Sequence, residues 1–260
     1  MEIFAHADAW VALITLTFLE IVLGIDNVIF ISISANKLPE NKVKKATLLG
    51  LGLAMVTRIL LLFSVSYLIA LKDPFVNVRW SWFTSDITGQ SIILFIGGLF
   101  LLYKSTKEIR HKVENTEEKN LTKTPKVVSF SAVITQIILI DIVFSFDSIL
   151  TAVGMTNGID GALIIMVIAV IVSIIIMMIF SQPINKFVNK NPTIQMLALS
   201  FLILIGFMLI AEGAHLSNTK IFNKSVGVIP KGYLYFAIAF SLGVELLNLK
   251  VKKKIKIDKK

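Results

Sequence analysis

Apolar runs in this chain repeatedly exceed the roughly 20 residues needed to cross about 30 Å of hydrocarbon. That feature constrains the fold most. In lipid every backbone polar group must be satisfied internally, which leaves helices or a closed barrel. A barrel would show short alternating segments instead. With 55% hydrophobic residues among 260, too few polar side chains remain to cover a soluble surface. The expectation is an all-α, polytopic bundle.

Seven spans are read, near 10–35, 46–71, 91–103, 129–155, 161–180, 194–211 and 233–249, the third of them short. The net charge of +9 reflects basic residues lying mainly between the apolar runs. This makes topology, rather than nucleic-acid binding, the better use for them. Twenty Lys and Arg fall in the first, third and fifth connections and the C-terminal tail. Five fall in the second and sixth connections, and Arg58 sits inside a span. The positive-inside rule then places the N-terminus outside and the C-terminus in the cytoplasm of a cell inner membrane. The N-terminus carries no Lys or Arg before the first run, unlike a cleaved signal peptide. Trp80 and Trp82 read as interfacial anchors on the second connection. The polar stretch 105–128 reads as a cytoplasmic linker, and the basic tail 250–260 as a contact for anionic lipid. There are no cysteines, which excludes disulfides, thiolate metal sites and Cys nucleophiles. No phosphate-binding loop or soluble-enzyme constellation is present, so neither an enzyme nor an organic cofactor is expected.

Two segments repeat. Residues 20–28, EIVLGIDNV, match residues 141–149, DIVFSFDSI, at an ungapped offset of 121. Both read acid, Ile-Val, apolar, small, apolar, Asp, small polar, apolar. Three spans separate their starts, so the copies cross in opposite directions, the mark of an inverted-repeat transporter. One domain is expected. It has repeat 1 at about 8–104, repeat 2 at about 129–213 and a seventh helix at about 232–249 outside the repeat.

Glu20, Asp26, Asp141 and Asp147 are therefore carboxylates inside spans. Each costs at least about 2.5–3.5 kcal/mol at mid-bilayer on insertion scales, so they need a compensating role. At 100° per residue, Glu20, Gly24 and Asn27 share one helix face, as do Asp141, Ser145 and Ser148. Asp26 and Asp147 lie about 120° off that stripe. A regular helix cannot aim both of its acids at one point. Either it unwinds near Gly24 or Ser145, the arrangement favoured here, or the site is shared across the pair. Carboxylate, amide and hydroxyl oxygens suit a hard divalent cation such as magnesium, calcium or manganese. Four ionised acids against Arg58 alone leave too much charge for a dry interior, so proton-coupled exchange is a natural hypothesis. Arg58 is the expected counter-charge. Glu212 and His215 near the outer end of the sixth span, and Glu245 near the inner end of the seventh, are candidates for an access path. Interfacial polar residues are also common there.

These segments resemble the TerC family of integral membrane proteins. The likeness covers residues 19–28, MVTRIL at 55–60, GGLFLLYKS at 97–105, 141–149, PKGY at 230–233 and FSLGVELLN at 240–248. The resemblance implies a seven-helix protein exporting a divalent metal ion, with manganese foremost. Carried over by position, its metal residues are Glu20, Asp26, Asn27, Asp141, Asp147 and Ser148. Two alternatives stand beside it. One is a membrane scaffold or metal-supply partner of secreted proteins. The other is a carrier of another hard cation (calcium) or of a small organic cation. Expected partners are the metal ion, the lipid bilayer and a second copy or another membrane protein, with no nucleic acid.

Overall fold

The computed structural model describes residues 7–64, 69, 71–117, 128–156 and 158–257; the side chains of residues 25, 26, 115–117 and 252–257 lie outside that description. Seven long helices dominate the described residues. They are α1 (Ala7–Ala35), α2 (Glu40–Phe63), α3 (Gly89–Glu117), α4 (Phe130–Met155), α5 (Ala162–Lys190), α6 (Pro192–Leu216) and α7 (Lys231–Ile257). All but α3 are long and apolar enough to cross a membrane, α7 over Lys231–Val251. The apolar part of α3 ends at Tyr103, where Lys104 begins a charged stretch.

Several boundaries differ from the sequence reading: α2 spans Glu40–Phe63 where 46–71 was expected, and α6 runs on to Leu216 where 211 was expected. The stretch after Tyr103, read as linker, stays helical to Glu117, since charged side chains cost a solvated helix little. α5 passes through Pro183 to Lys190, and α7 extends into the basic tail. A small sheet, absent from the sequence reading, caps one end. Strands β1 (Pro74–Arg79) and β2 (Phe83–Thr88) form a hairpin. Strands β3 (Lys220–Ile221) and β4 (Lys224–Ser225) form a second. The order is β1-β2-β3-β4, antiparallel throughout. Trp80 and Trp82 stand exposed on the first turn, with Trp82 against Phe83 and Phe222.

The sheet joins the α2–α3 connection to the α6–α7 connection, so these share one side of the bundle. At the opposite side, Lys37 of the α1–α2 turn pairs with Glu108 of α3. Asn36 there bonds Asn189 of α5, and Lys112 of α3 bonds Gln195 of α6. Burial pulls the Lys37 ammonium below its ordinary value, and Glu108 offsets only part of that. Burial alone would raise the Glu108 carboxyl, yet the bond and charge of Lys37, with Lys104, hold it below the ordinary value.

α1 packs chiefly on α5, α4 on α2, and α3 along α6. Burial recurs with the sequence repeat. At +121, buried Leu16, Glu20, Gly24, Asn27 and Val28 of α1 fall on buried Ile137, Asp141, Ser145, Ser148 and Ile149 of α4. At +119, the buried positions of α2, Ala46, Thr47, Gly50, Leu51, Ala54, Arg58 and Leu62, all fall on buried positions of α5. At +108, Leu94, Gly97, Gly98, Leu101 and Ser105 of α3 fall on buried Leu202, Ile205, Gly206, Leu209 and Gly213 of α6. Gly98 and Gly206 meet backbone to backbone. A Cβ on Gly98 would lie 2.6 Å from the Gly206 carbonyl oxygen, and one on Gly206 would lie 3.0 Å from that of Gly98.

Candidate functional site

Helices α1 and α4 run without a break through Gly24 and Ser145. The expected unwinding is absent, and the geometry explains why none is needed. The described acids face two different clusters.

The first cluster is central. At 1.5 Å per residue, Glu20 lies about 20 Å from one end of α1 and about 22 Å from the other. Glu20, Asp141 and Arg58 are 4%, 3% and 3% exposed. Arg58 Nη1 donates to Glu20 Oε2. Its Nη2 donates to Asp141 Oδ1 at 2.7 Å, and its Nε lies 3.3 Å and 3.4 Å from the two Asp141 oxygens. The fork of the guanidinium thus clamps α1 and α4 from α2. Ser145 Oγ donates to the Asp141 backbone carbonyl at 2.6 Å and lies 3.1 Å from Asp141 Oδ2. Asn27 Nδ2 reaches Asp141 Oδ1 at 3.5 Å. Its Oδ1 is buried and finds no hydrogen-bond partner among the described residues.

The second cluster lies toward the sheet. Asp147 is about 12 Å from the Met155 end of α4. Lys231 Nζ, from the first residue of α7, donates to both Asp147 oxygens at 2.8 Å and to Thr151 Oγ1 at 2.9 Å. Glu212 of α6 lines the same cavity as Asp147. A cavity of about 40 Å³ connects the clusters, lined by Asn27, Arg58, Asp147, Ser148, Glu212 and Lys231 among apolar walls that include Leu23, Phe144 and Met208. The cavity has room for a water molecule or a small ion. Ser148 Oγ donates back to the Ser145 carbonyl at 3.3 Å, leaving its lone pairs free to accept.

Asp26 belongs to α1, about 14 Å from the Ala35 end, on the side of Lys37. Its side chain lies outside the described residues, so the structure does not place the expected Asp26 ligand. Among the described residues no three His, Cys, Asp or Glu side chains are grouped closely enough to hold a metal ion. Glu212 joins the second cluster, whereas His215 does not: its Nδ1 lies 3.3 Å from the Val226 carbonyl at the exposed rim. Glu245 lines a separate surface groove, where it accepts from Thr193 at 2.5 Å and Asn248 at 3.3 Å. Lys231 was missed as a site residue in the sequence, where it counted among the charges that set orientation and within the PKGY segment of the resemblance. The signal was Pro230 before it, since proline often precedes or opens a helix and so places Lys231 in a first turn.

Long apolar helices with buried ion pairs and a small polar cavity between them define an integral membrane protein with a charged core. The chain belongs to the TerC family, matching the group described as "Integral membrane protein TerC family" over residues 5–260. A UPF0053 protein of Haemophilus influenzae is 42% identical over 255 residues, covering 98% of this chain and 99% of that one. The UPF0053 inner membrane protein YgdQ of Escherichia coli is 44% identical over 247 residues, 95% of each chain. The UPF0053 protein YegH of Escherichia coli is 44% identical over 248 residues, 95% of this chain but only 43% of its own length. No solved structure matches the chain.

Proposed function

We propose that the protein is an inner-membrane carrier that exports a divalent metal cation, with manganese as the cargo. The observation that carries this reading is the cavity at membrane depth. It brings Asp147, Glu212, Ser148 and Asn27, whose Oδ1 has no partner among the described residues, together beside a carboxylate pair closed by Arg58. These are hard oxygen donors, the set that manganese, magnesium and calcium share. Resemblance to manganese-exporting members of the family selects manganese from that set.

All seven helices cross the membrane in this reading, as two inverted three-helix copies followed by α7. Its support is the recurrence of burial between α1 and α4, α2 and α5, and α3 and α6. The crossed packing of α1 on α5 and α4 on α2 agrees with it. An even number of crossings separates the connections that share the sheet. Because the copies are inverted, each pair of acids has one member at mid-membrane (Glu20, Asp141) and one displaced to opposite sides (Asp26, Asp147). An ion path then runs from Asp26, past the Arg58 gate, to Asp147. The Lys-rich side, bearing Lys37, Lys42, Lys44 and Lys45, faces the cytoplasm.

The test is protection of cells from excess manganese. Asp147→Asn and Asp26→Asn proteins should reach the membrane in normal amounts and give no protection. Full protection by either variant would refute the ion path.

A further inference from the structure

We propose that Lys231 is a tethered competitor for the cargo: its ammonium occupies the seat on Asp147 that a divalent ion takes, and the ion binds by displacing it. This deepens the transport reading above and rests on it.

The ammonium meets three oxygens, both of Asp147 at 2.8 Å and Thr151 Oγ1 at 2.9 Å. That uses its three protons, and its grip on both carboxylate oxygens is one a hard divalent ion also adopts. Such an ion seeks six or more oxygens. Three further residues that carry oxygen donors line the same cavity, namely Asn27, Ser148 and Glu212. The Asn27 Oδ1 is buried with no partner among the described residues. The cavity is thus built for more oxygen ligation than a single ammonium uses.

The carrier of this ammonium is also the most loosely held helix. Along α7 the side chains of Tyr233, Phe236, Phe240 and Leu247 are exposed. Residues 226–230, between β4 and α7, form neither helix nor strand. Nothing crowds Gly232, the next residue after Lys231. Withdrawal of Lys231 requires only the start of α7 and one flexible side chain to move. The exchange also shifts charge in the right direction. A divalent ion replacing one ammonium leaves the Asp147 and Glu212 pair better neutralised, and departure of the ion restores the lysine, so neither state strands a bare Asp147 in the membrane.

The full chain in lipid nanodiscs and vesicles tests this, with Mn²⁺ as the probe. Lys231→Gln should bind Mn²⁺ about tenfold more tightly than wild type, the scale of one charged hydrogen bond removed. In vesicles its KM should fall while kcat falls too, because nothing replaces the departing ion. Lys231→Arg, which keeps the charge, should not gain affinity. Acylation of the Lys231 amine, read by mass spectrometry, should rise on adding Mn²⁺ and be high without metal in Asp147→Asn. If wild type moves Mn²⁺ but Lys231→Gln binds it no more tightly and only melts earlier, Lys231 is a pin for α7 and the proposal fails alone. If neither wild type nor Lys231→Gln binds Mn²⁺, the transport reading fails and takes this proposal with it.

Discussion

The two halves, α1–α3 and α4–α6, share a burial plan and differ in their charges. The position that holds Arg58 in α2 holds Met177 in α5. Arg58 reaches out to two carboxylates, whereas the Met177 sulfur rests against Gly24, 2.2 Å from where a Cβ would stand. In α4 the counterpart of Gly24 is Ser145, whose hydroxyl turns to Asp141. Repetition therefore supplies the scaffold, and single unrepeated side chains supply polarity. Of the second acids, Asp147 receives its cation from Lys231 of α7, a helix outside both halves.

Removing the asymmetry at its strongest point should do most damage. Arg58→Met would make the halves alike at that position and strand Glu20 and Asp141. Breaking a buried pair costs about 3–5 kcal/mol, so the folded protein should largely vanish from membranes, as read by fluorescence-detected size exclusion. Adding Glu20→Gln and Asp141→Asn should restore much of the yield, because the uncompensated charges are then gone. Restoration failing would show that Arg58 matters by its packing. Next in size is Gly98→Ala, whose Cβ meets backbone and Ile210. Overpacking of this kind costs about 1–3 kcal/mol. The fall in Tm should exceed that of Gly206→Ala, whose closest contact is longer.

A smaller effect is expected at the Lys37 side. Glu108 has its carboxyl held below the ordinary value of 4.5. A depressed carboxylate stabilises the fold above its unfolded pKa and loses that contribution as pH falls through the folded value. Tm should therefore drop as pH is lowered beneath about 4.5, and Glu108→Gln should flatten that drop, by about 1 kcal/mol for a partly exposed pair. Smallest is Gly24→Ala. Its Cβ meets only the flexible end of Met177, which can swing aside, so the loss should stay below about 1 kcal/mol. A larger loss would mean that Met177 is held in place by more than packing.

Much of this was legible in the sequence. Intramembrane acids announce themselves by cost, and the offset of 121 aligned the two acidic motifs in the sequence itself. The sheet was not read, although the alternation in Pro74–Arg79 and the turn at 80–82 carried a strand signal. A hydropathy reading treats everything between spans as connection. The extension of α3 was hidden for the same reason, because a charged helix in water and a charged linker have similar composition. The expectation of a broken helix assumed that two acids on one helix serve one point. Six-residue spacing instead aims Asp141 at Arg58 and Asp147 at Lys231, and the continuous helix satisfies both.

The glycine crossing of α3 and α6 has a mechanical consequence. Each helix there is the counterpart of the other, and Gly98 and Gly206 are counterpart residues. In the proposed inverted-repeat carrier, their contact would lie on the axis relating the two copies, where a rocking motion displaces atoms least. A fulcrum made of bare backbone has no side chains to unlock as the halves tilt. In that carrier the work of opening and closing would fall on the rim, where Lys37–Glu108 and Lys231–Asp147 stand at opposite ends of the bundle.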